Sequence, residues 1–293
     1  MCDRKAFTLA TRSIVVATRI TIASTAIWGS TAQAQSDRGL SWLDRATITR
    51  SSQPNWVTPL ITASANLEEA VIYDISRRLP SSGRPLVTAG GPRGMQFLPF
   101  GKLQITFGAT PYLIHNDPTI HNGFGDTSFA FKYRLASGNE HHGNFAVSAQ
   151  LGASIATGSY QNGQPSAALT PTILAEKSWS WFNIQSTFGA MLPLGDTRLT
   201  GRQFISNTAL QARIARIFWP ECEINSIAFK GGPNNGKKQV FVTPGVLIGR
   251  LRLTRLMGFT FGVGMQIAAS QYHSYNHALL FSVRLPLQSH PGE

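Results

Sequence analysis

Three stretches of the sequence combine residue types that could do chemistry. Ser274, Asn276 and His277 are the residue types with which some lipases hydrolyse esters. On an extended strand, however, residues 274 and 276 share one face and residue 277 lies on the other, so the histidine is badly placed to act as a base for the serine. We therefore expect no enzyme active site here.

The other two stretches are histidine clusters that raise the question of a metal ion. His115 and His121 flank Asp117, and residues 140–142 read Glu-His-His. Imidazole and carboxylate groups are common zinc ligands. We interpret both clusters as solvated histidines in loops, and we expect neither a metal nor any other cofactor.

The composition limits which elements can position these side chains. Charged residues make up only 14% of the 293 residues, against roughly 25% in soluble domains, yet the mean hydropathy is close to neutral at −0.05. After residue 40, no apolar run reaches the ~18 residues that a spanning helix needs. Alternating strands fit this composition better than transmembrane helices.

Period-two alternation of apolar and polar side chains recurs along the chain. In Asp126–Leu135, Phe131 and Leu135 fall on one face of a strand, and Lys132 and Arg134 fall on the other. Apolar residues at i, i+2 and i+4 would wrap around a helix, so a helical period does not explain the pattern. The same alternation occurs in Phe145–Ala156, Phe182–Leu192 and Phe259–Ala268.

With eight weaker segments, the alternation predicts an all-β fold, a transmembrane antiparallel up-and-down β-barrel of about twelve strands. Bacterial single-chain barrels have an even number of strands. Val87–Leu98 is the least regular segment, because Gly90, Gly91, Pro92 and Gly94 interrupt it. The weaker segments are Leu67–Arg78, Val87–Leu98, Leu103–Tyr112, Leu169–Lys177, Ile205–Phe218, Glu221–Lys230, Gln239–Leu251 and His277–Leu287.

The connections between these segments alternate between long loops and tight turns. Pro99–Lys102, Ser178–Trp181 and Trp219–Pro220 are tight, as periplasmic turns of a barrel would be. Aromatic residues near these turns predict an interfacial girdle, formed by Trp179, Trp181, Phe218 and Trp219. A soluble β-sandwich or lipocalin-like barrel would also alternate, with its polar face outward. The low charge, the aromatic turns and the strand number favour the membrane barrel.

Charged residues of both signs fall on the polar face, which would line the lumen. A barrel of twelve strands leaves a narrow interior, so these charges could brace the barrel as a paired network or line a solute path. Their mixed sign argues against strong ion selectivity. The lumen candidates are Glu68, Asp74, Asp126, Lys132, Arg134, Glu176, Arg213, Glu221 and Glu223.

The N-terminus has the features of a secretory signal peptide. A basic region is followed by an apolar stretch and by Ala32-Gln33-Ala34, which predicts cleavage after residue 34 and a mature start at Gln35. We expect residues 1–34 to be the signal peptide, residues 35–66 a lead-in, a plug or an extra strand, 67–287 the barrel and 288–293 a tail. Cys222 is then the single cysteine of the mature chain, so no internal disulfide can form.

Basic residues cluster in two predicted outer loops. Lys230, Lys237 and Lys238 belong to one loop, and Arg198 and Arg202 to another. They could contact the phosphates of lipopolysaccharide, because Lys and Arg attract anions, or they could simply be solvated. The expected partners are outer-membrane lipids and lipopolysaccharide, the outer-membrane assembly machinery and a small hydrophobic solute. Nucleic acid is not expected, because the chain is exported.

Several short motifs resemble the outer-membrane family named for the MetA pathway of phenol degradation. They are Gly123-Phe-Gly-Asp126, the segment Phe131–Leu135, Ala156-Thr-Gly-Ser159, the segment Pro171–Lys177, Leu194-Gly-Asp196 and Thr243-Pro-Gly245. The resemblance extends over about residues 67–287. It implies an outer-membrane barrel that takes up small apolar or aromatic solutes, and it transfers no binding residue. The alternatives are a structural or binding barrel that does not transport and an outer-membrane lipid-modifying enzyme.

Overall fold

The computed structural model describes residues 41–254 and 256–287. The predicted signal peptide and C-terminal tail lie outside the described residues. In chain order the elements are α1 (Trp42–Ser51), β1 (Ala70–Leu79), β2 (Leu86–Phe100), β3 (Leu103–His115), β4 (Gly123–Phe124), β5 (Thr127–Gly138), β6 (Phe145–Ile155), β7 (Ala168–Ser178), β8 (Phe182–Pro193), α2 (Thr197–Thr200), β9 (Arg202–Ala212), β10 (Phe218–Lys230), β11 (Lys238–Arg252), β12 (Gly258–Ala268) and β13 (His277–Pro286).

The strands form one closed antiparallel sheet. Apart from the short β4, which adds to the end of β3, each strand pairs with its neighbours along the chain. The first and last strands close the ring, with Ala70 opposite Pro286 and Leu79 opposite His277. The wall therefore has twelve strands within the described residues. The prediction of a twelve-stranded up-and-down barrel is confirmed.

The two faces of the wall differ in polarity, and the structure decides which face is outside. On β5 the side chain of Phe131 is exposed, whereas Lys132 and Arg134 are each 6% exposed. On β8, Phe188 is exposed and Asn183 and Gln185 are fully buried. An apolar exterior around a polar interior is the arrangement of a barrel in lipid. A lipocalin-like soluble barrel would have the opposite arrangement.

Long and short connections lie at opposite ends of the barrel. We call one end the turn end, with connections 101–102, 139–144, 179–181, 213–217 and 253–257, and the other the loop end, with connections 80–85, 116–126, 156–167, 194–201, 231–237 and 269–276. No helix among the described residues is long and apolar enough to cross a membrane.

Two details of the predicted strands were wrong. The segment Ile205–Phe218 is not one strand, because β9 ends at Ala212. The chain reverses in residues 213–217, where Ala215 and Arg216 have φ of 50° and 61°. The apolar Ile214 is in phase with Leu210 and Phe218, so the strand pattern of the sequence continues through this turn. Trp219–Pro220 consequently belongs to β10 and not to a turn.

The predicted aromatic girdle is correct for three of its four residues. Trp179, Trp181 and Phe218 are exposed near the turn end. Trp219 is 1% exposed, because the true turn shifts the register of β10 and directs this side chain into the barrel.

The irregular segment 87–98 is a strand in spite of its glycines. In β2 the pairing register shifts between Ala89 and Gly91 and again between Gly91 and Met95. Such bulges insert unpaired residues and bend a strand. The glycines permit the close approach that the bend requires, because a Cβ on Gly94 would overlap the backbone of β3.

Candidate functional site

The candidate site is the interior of the barrel, which contains residues 53–69. We call this stretch the lumen segment. Helix α1 precedes it. The amide of Gln53 closes the segment into a loop, since its Nε2 donates to the Leu67 carbonyl at 2.7 Å and its Oε1 accepts from the Leu67 N–H at 3.0 Å. Residues 53–66 therefore lie inside the ring of strands, and their role stays a prediction.

Two glutamates of β10 bind backbone N–H groups of the lumen segment. Glu221 accepts from the N–H of Leu60 at 2.9 Å. Glu223 accepts from the N–H of Ile61 at 2.7 Å and from the N–H of Thr62 at 2.6 Å. Residues 221 and 223 face inward together because a strand repeats every two residues. The lumen segment is not part of a helix or sheet here, so these carboxylates replace the missing backbone partners.

Two cations of β5 bind the lumen segment and the helix that precedes it. The ammonium of Lys132 donates to the carbonyls of Ser64 at 3.0 Å and Asn66 at 2.9 Å. The guanidinium of Arg134 donates to Thr49 of α1 and to the side chain of Gln53. Five donors in a planar fork let one arginine join several acceptors.

A second pair of cations, Arg93 of β2 and Arg284 of β13, binds the segment from the strands on either side of β1. Arg93 pairs with Asp74 at 2.7 Å and donates to the carbonyls of Pro59 and Leu60. Arg284 donates to the carbonyls of Thr58 and Pro59. The prediction omitted both arginines, although the alternation of β13 places residue 284 on the inward face. Arg93 lies in the bulge of β2, between the paired residues Gly91 and Met95, where simple alternation does not assign the direction of a side chain.

Neutral and acidic side chains complete the contacts. Ser148 donates to the Ala65 carbonyl at 2.6 Å, and Gln185 donates to Val57. Glu176 is buried and accepts from Asn183 at 2.9 Å. Glu68 belongs to the segment and accepts from Thr58 at 2.8 Å.

Apolar packing fixes Leu60 against the wall. Its side chain lies over Gly245, Gly262 and Gly264 of β11 and β12. A Cβ on any of these glycines would lie only 2.5–2.7 Å from a Leu60 methyl carbon. Because these glycines have no side chains, they leave a notch in the wall that fits one leucine. Alternation identified Gly262 and Gly264 as inward, but the residue that fills the notch is distant in sequence.

Aromatic and cationic groups meet near the turn end. The rings of Trp56 and Trp219 contact edge to face with centroids 5.1 Å apart. Arg213 and Arg250 lie over the Trp219 ring at 5.7 and 5.3 Å. Arg213 lies in the turn 213–217, and it also donates to the Ser180 carbonyl at 2.8 Å. It therefore belongs to the turn end and contacts the lumen only through these rings.

A cavity of about 520 Å³ lies between the lumen segment and the loop end. Leu60, Ile61 and Ser64 of the segment form one boundary. Asp126 and Asn162 lie at the other, where Asp126 accepts from the N–H groups of Gly158 and Gln164. The wall contributes hydroxyl and amide groups as well as apolar surface, including Thr88, Gln96, Gln104, Thr106, Pro111, Leu113 and Leu280.

Carboxylates outside the strands have shifted pKa values. Hydrogen bonds from the Thr119 hydroxyl and N–H, followed by one from Arg84, lower the pKa of Asp117 to about 2. Burial raises the pKa of Glu69, although the N–H of Leu98 and the indole of Trp42 donate to it and act in the opposite direction.

The candidate catalytic and metal-binding residues make other hydrogen bonds. The ring of His115 bonds to Asn162 at 2.6 Å, and that of His142 bonds to Asn139 at 2.9 Å. The N–H of Ser274 donates to Gln239. Across residues 41–254 and 256–287, no three His, Cys, Asp or Glu side chains are grouped to hold a metal ion.

Comparison with protein families supports the resemblance found in the sequence. The family model for the MetA-pathway of phenol degradation matches residues 84–219. The resemblance to this family is confirmed. The matched range begins before β2 and ends in β10, so it contains most of the wall that surrounds the cavity. Curated proteins give no match.

A solved structure supports the barrel fold. A crystal structure of an outer-membrane channel from Pseudomonas putida F1 is 12% identical, with a TM-score of 0.50, and the alignment covers 79% of this chain and 100% of that chain. The NanC porin is 8% identical with a TM-score of 0.48, covering 74% of this chain and 99% of that chain. The similarity to the first structure concerns the fold.

Proposed function

We propose that the protein is an outer-membrane channel whose lumen segment restricts passage to small solutes. The observation that carries this proposal is the closed barrel with an apolar exterior, a polar interior and a cavity of about 520 Å³. An apolar exterior requires lipid around it. A cavity bounded by loop-end residues gives a solute a place to enter from that end.

The cavity favours neutral solutes that combine an apolar body with a hydroxyl group. Two of its cations are engaged by the protein, since Arg93 pairs with Asp74 and Lys132 binds two carbonyls. Leu60, Ile61 and Leu113 offer apolar contact beside hydroxyl and amide groups. Simple phenols have this chemistry, and the name of the matching family agrees with it.

Planar-bilayer recording and liposome swelling test the channel. Wild-type protein should show small or infrequent conductance, and swelling should be faster with small neutral solutes than with bulky or charged ones. The double variant E221Q/E223Q should conduct more, because a neutral amide is a weaker acceptor for the N–H groups of residues 60–62. A correctly assembled barrel that neither conducts nor speeds solute entry, in wild type or variant, would contradict transport.

A binding barrel that does not transport is the second candidate. Side chains from several wall strands bind the lumen segment, and these bonds would have to break before the segment could leave the lumen. They therefore favour a barrel that binds a solute without transporting it. The two candidates differ in one measurement. A binding barrel should bind a phenol, detected by equilibrium dialysis, without any solute entering sealed vesicles.

A further inference from the structure

Three exposed cations lie on adjacent strands where the wall meets the loop end. Arg202 begins β9, Lys230 ends β10 and Lys238 begins β11. They point outward, on the same faces as the exposed Phe204, Ile224 and Ile248. This cation row therefore borders the apolar exterior of the barrel.

The strand register makes two of these cations direct neighbours. Lys230 is opposite Arg202 in the pairing of β9 with β10. Opposite residues of an antiparallel pair have Cβ atoms about 5 Å apart, and like charges in this position are destabilising. Lys238 is opposite Ala228, which makes it the diagonal neighbour of Lys230 on the same face.

No carboxylate compensates this charge within the part of the chain that the structure describes. The ion pairs involve Arg84, Arg93, Arg198 and Arg213, and none involves the cation row. The acid of the adjacent loop, Asp196, is already bound by Arg198 at 3.0 Å.

Close backbone contact holds the two basic loops together. A Cβ on Gly201 would overlap the carbonyl of Gly231, and a Cβ on Gly232 would lie 2.7 Å from the Gly201 nitrogen. All three glycines have φ between 66° and 78°, a conformation that other residues rarely adopt. The loops thus keep the like charges close instead of letting them separate.

Exposed leucines occur in the connection that leads to the first of these cations. Leu194 and Leu199, in the connection that precedes Arg202, are 65% and 64% exposed. A surface with cations next to apolar side chains is suited to an amphiphile that has an anionic head group and acyl chains. A free anion in water would give these leucines no apolar partner.

We propose that Arg202, Lys230 and Lys238 form a binding site for a phosphate group of an outer-leaflet lipid, with Leu194 and Leu199 against its acyl chains. The site rests on the proposed membrane location. The bound phosphate accepts hydrogen bonds from the guanidinium and the ammonium groups and removes their mutual repulsion. Lys237 lies apart from this site, because its ammonium is over the Tyr272 ring and bonds to Asn234.

The test measures thermal unfolding of the refolded barrel in three kinds of vesicle. These contain neutral phosphatidylcholine alone, phosphatidylcholine with diphosphorylated lipid A, or phosphatidylcholine with inorganic phosphate in solution. Wild-type Tm should rise with lipid A and not with inorganic phosphate. Each cation removed by R202Q or K230Q should weaken the association with lipid A about fivefold.

The effect of these variants on Tm should have opposite signs in neutral vesicles and in vesicles with lipid A. In neutral vesicles R202Q should raise the Tm, because it removes a like-charge pair, and with lipid A it should lower the Tm. The matched control is R77Q, an outward cation of β1 that faces Leu279 and Val87 instead of another cation. Its effect on Tm should have the same sign in both kinds of vesicle.

Several outcomes would overturn the site. If R202Q and R77Q respond equally to lipid A, the effect comes from general surface charge and not from a specific site. If inorganic phosphate alone shifts the Tm, the cations bind free anions and not a lipid. A protein that stays in solution without inserting into any vesicle would refute the membrane location and the lipid site together. If the barrel inserts but R202Q is insensitive to lipid A, only the lipid site fails.

Discussion

The carboxylate of Glu223 accepts hydrogen bonds from the backbone N–H groups of Ile61 and Thr62 and is fully buried. A residue of the barrel wall thereby supplies the backbone acceptor that a regular helix or sheet would have provided within the lumen segment. Hydrogen bonds to charged groups contribute roughly 1.5–3 kcal/mol. Much of the stability of the closed lumen depends on this residue and on its neighbour Glu221.

We predict that Glu223→Gln opens the lumen without preventing assembly. The amide retains one acceptor oxygen but loses the charge, and its NH₂ group cannot accept from Thr62. Single-channel recording should show a higher open probability or conductance than wild type. The control is R77Q, which changes a charge on the exterior of the barrel and should leave the conductance unchanged.

We predict that Gly264→Ala expels Leu60 from its notch. The added Cβ would lie 2.5 Å from Leu60 Cδ1, and overpacking of this kind costs about 1–3 kcal/mol. The double variant G264A/L60A should recover part of that loss, because the shortened side chain leaves space for the new methyl group. Urea unfolding in lipid vesicles measures the coupling free energy between the two positions. Additive effects of the two substitutions would contradict the contact.

We predict that Phe131→Arg impairs assembly far more than Lys132→Ser. An arginine on the lipid face costs about 2–4 kcal/mol at the middle of the bilayer. The sequence alone predicts that Lys132→Ser is tolerated, and we expect the barrel to form. The structure adds that the lumen segment loses its bonds from Lys132 to Ser64 and Asn66. Gel migration without heating reports assembly, and protease access to residues 53–69 reports loosening. Equal tolerance of both variants would refute the orientation of β5.

We predict that Asp117 stays ionised down to about pH 2. An ordinary aspartate has a pKa of about 3.9. The lowered pKa means that this loop contact stabilises the folded state above the unfolded pKa and loses its effect as the pH falls through about 2. Thr119→Ala should raise the pKa more than Arg84→Gln, because the Thr119 hydroxyl is the largest cause. Carboxyl NMR titration measures both values, and the reverse order would contradict the assignment.

The sequence alone determined the architecture of the wall and which residues share a face, and its low charge favoured an apolar exterior. A closed barrel in lipid needs apolar side chains at every second position, so alternation at Phe129–Leu135 or Phe259–Ile267 could be read without knowing the partners. Inward residues such as Lys132 and Glu223 followed from the same period. Where the backbone departs from that period, as at Ala215 and in the bulge of β2, the prediction misplaced Trp219 and missed Arg93.

Only the tertiary structure decided what the inward side chains bind. The partners of Glu223, Lys132 and Arg284 are backbone groups of residues 58–66, and backbone groups have no signature in the sequence. The Leu60 notch and the opposition of Arg202 and Lys230 likewise depend on strand register, since pairing between strands brings together residues that are distant or unrelated along the chain.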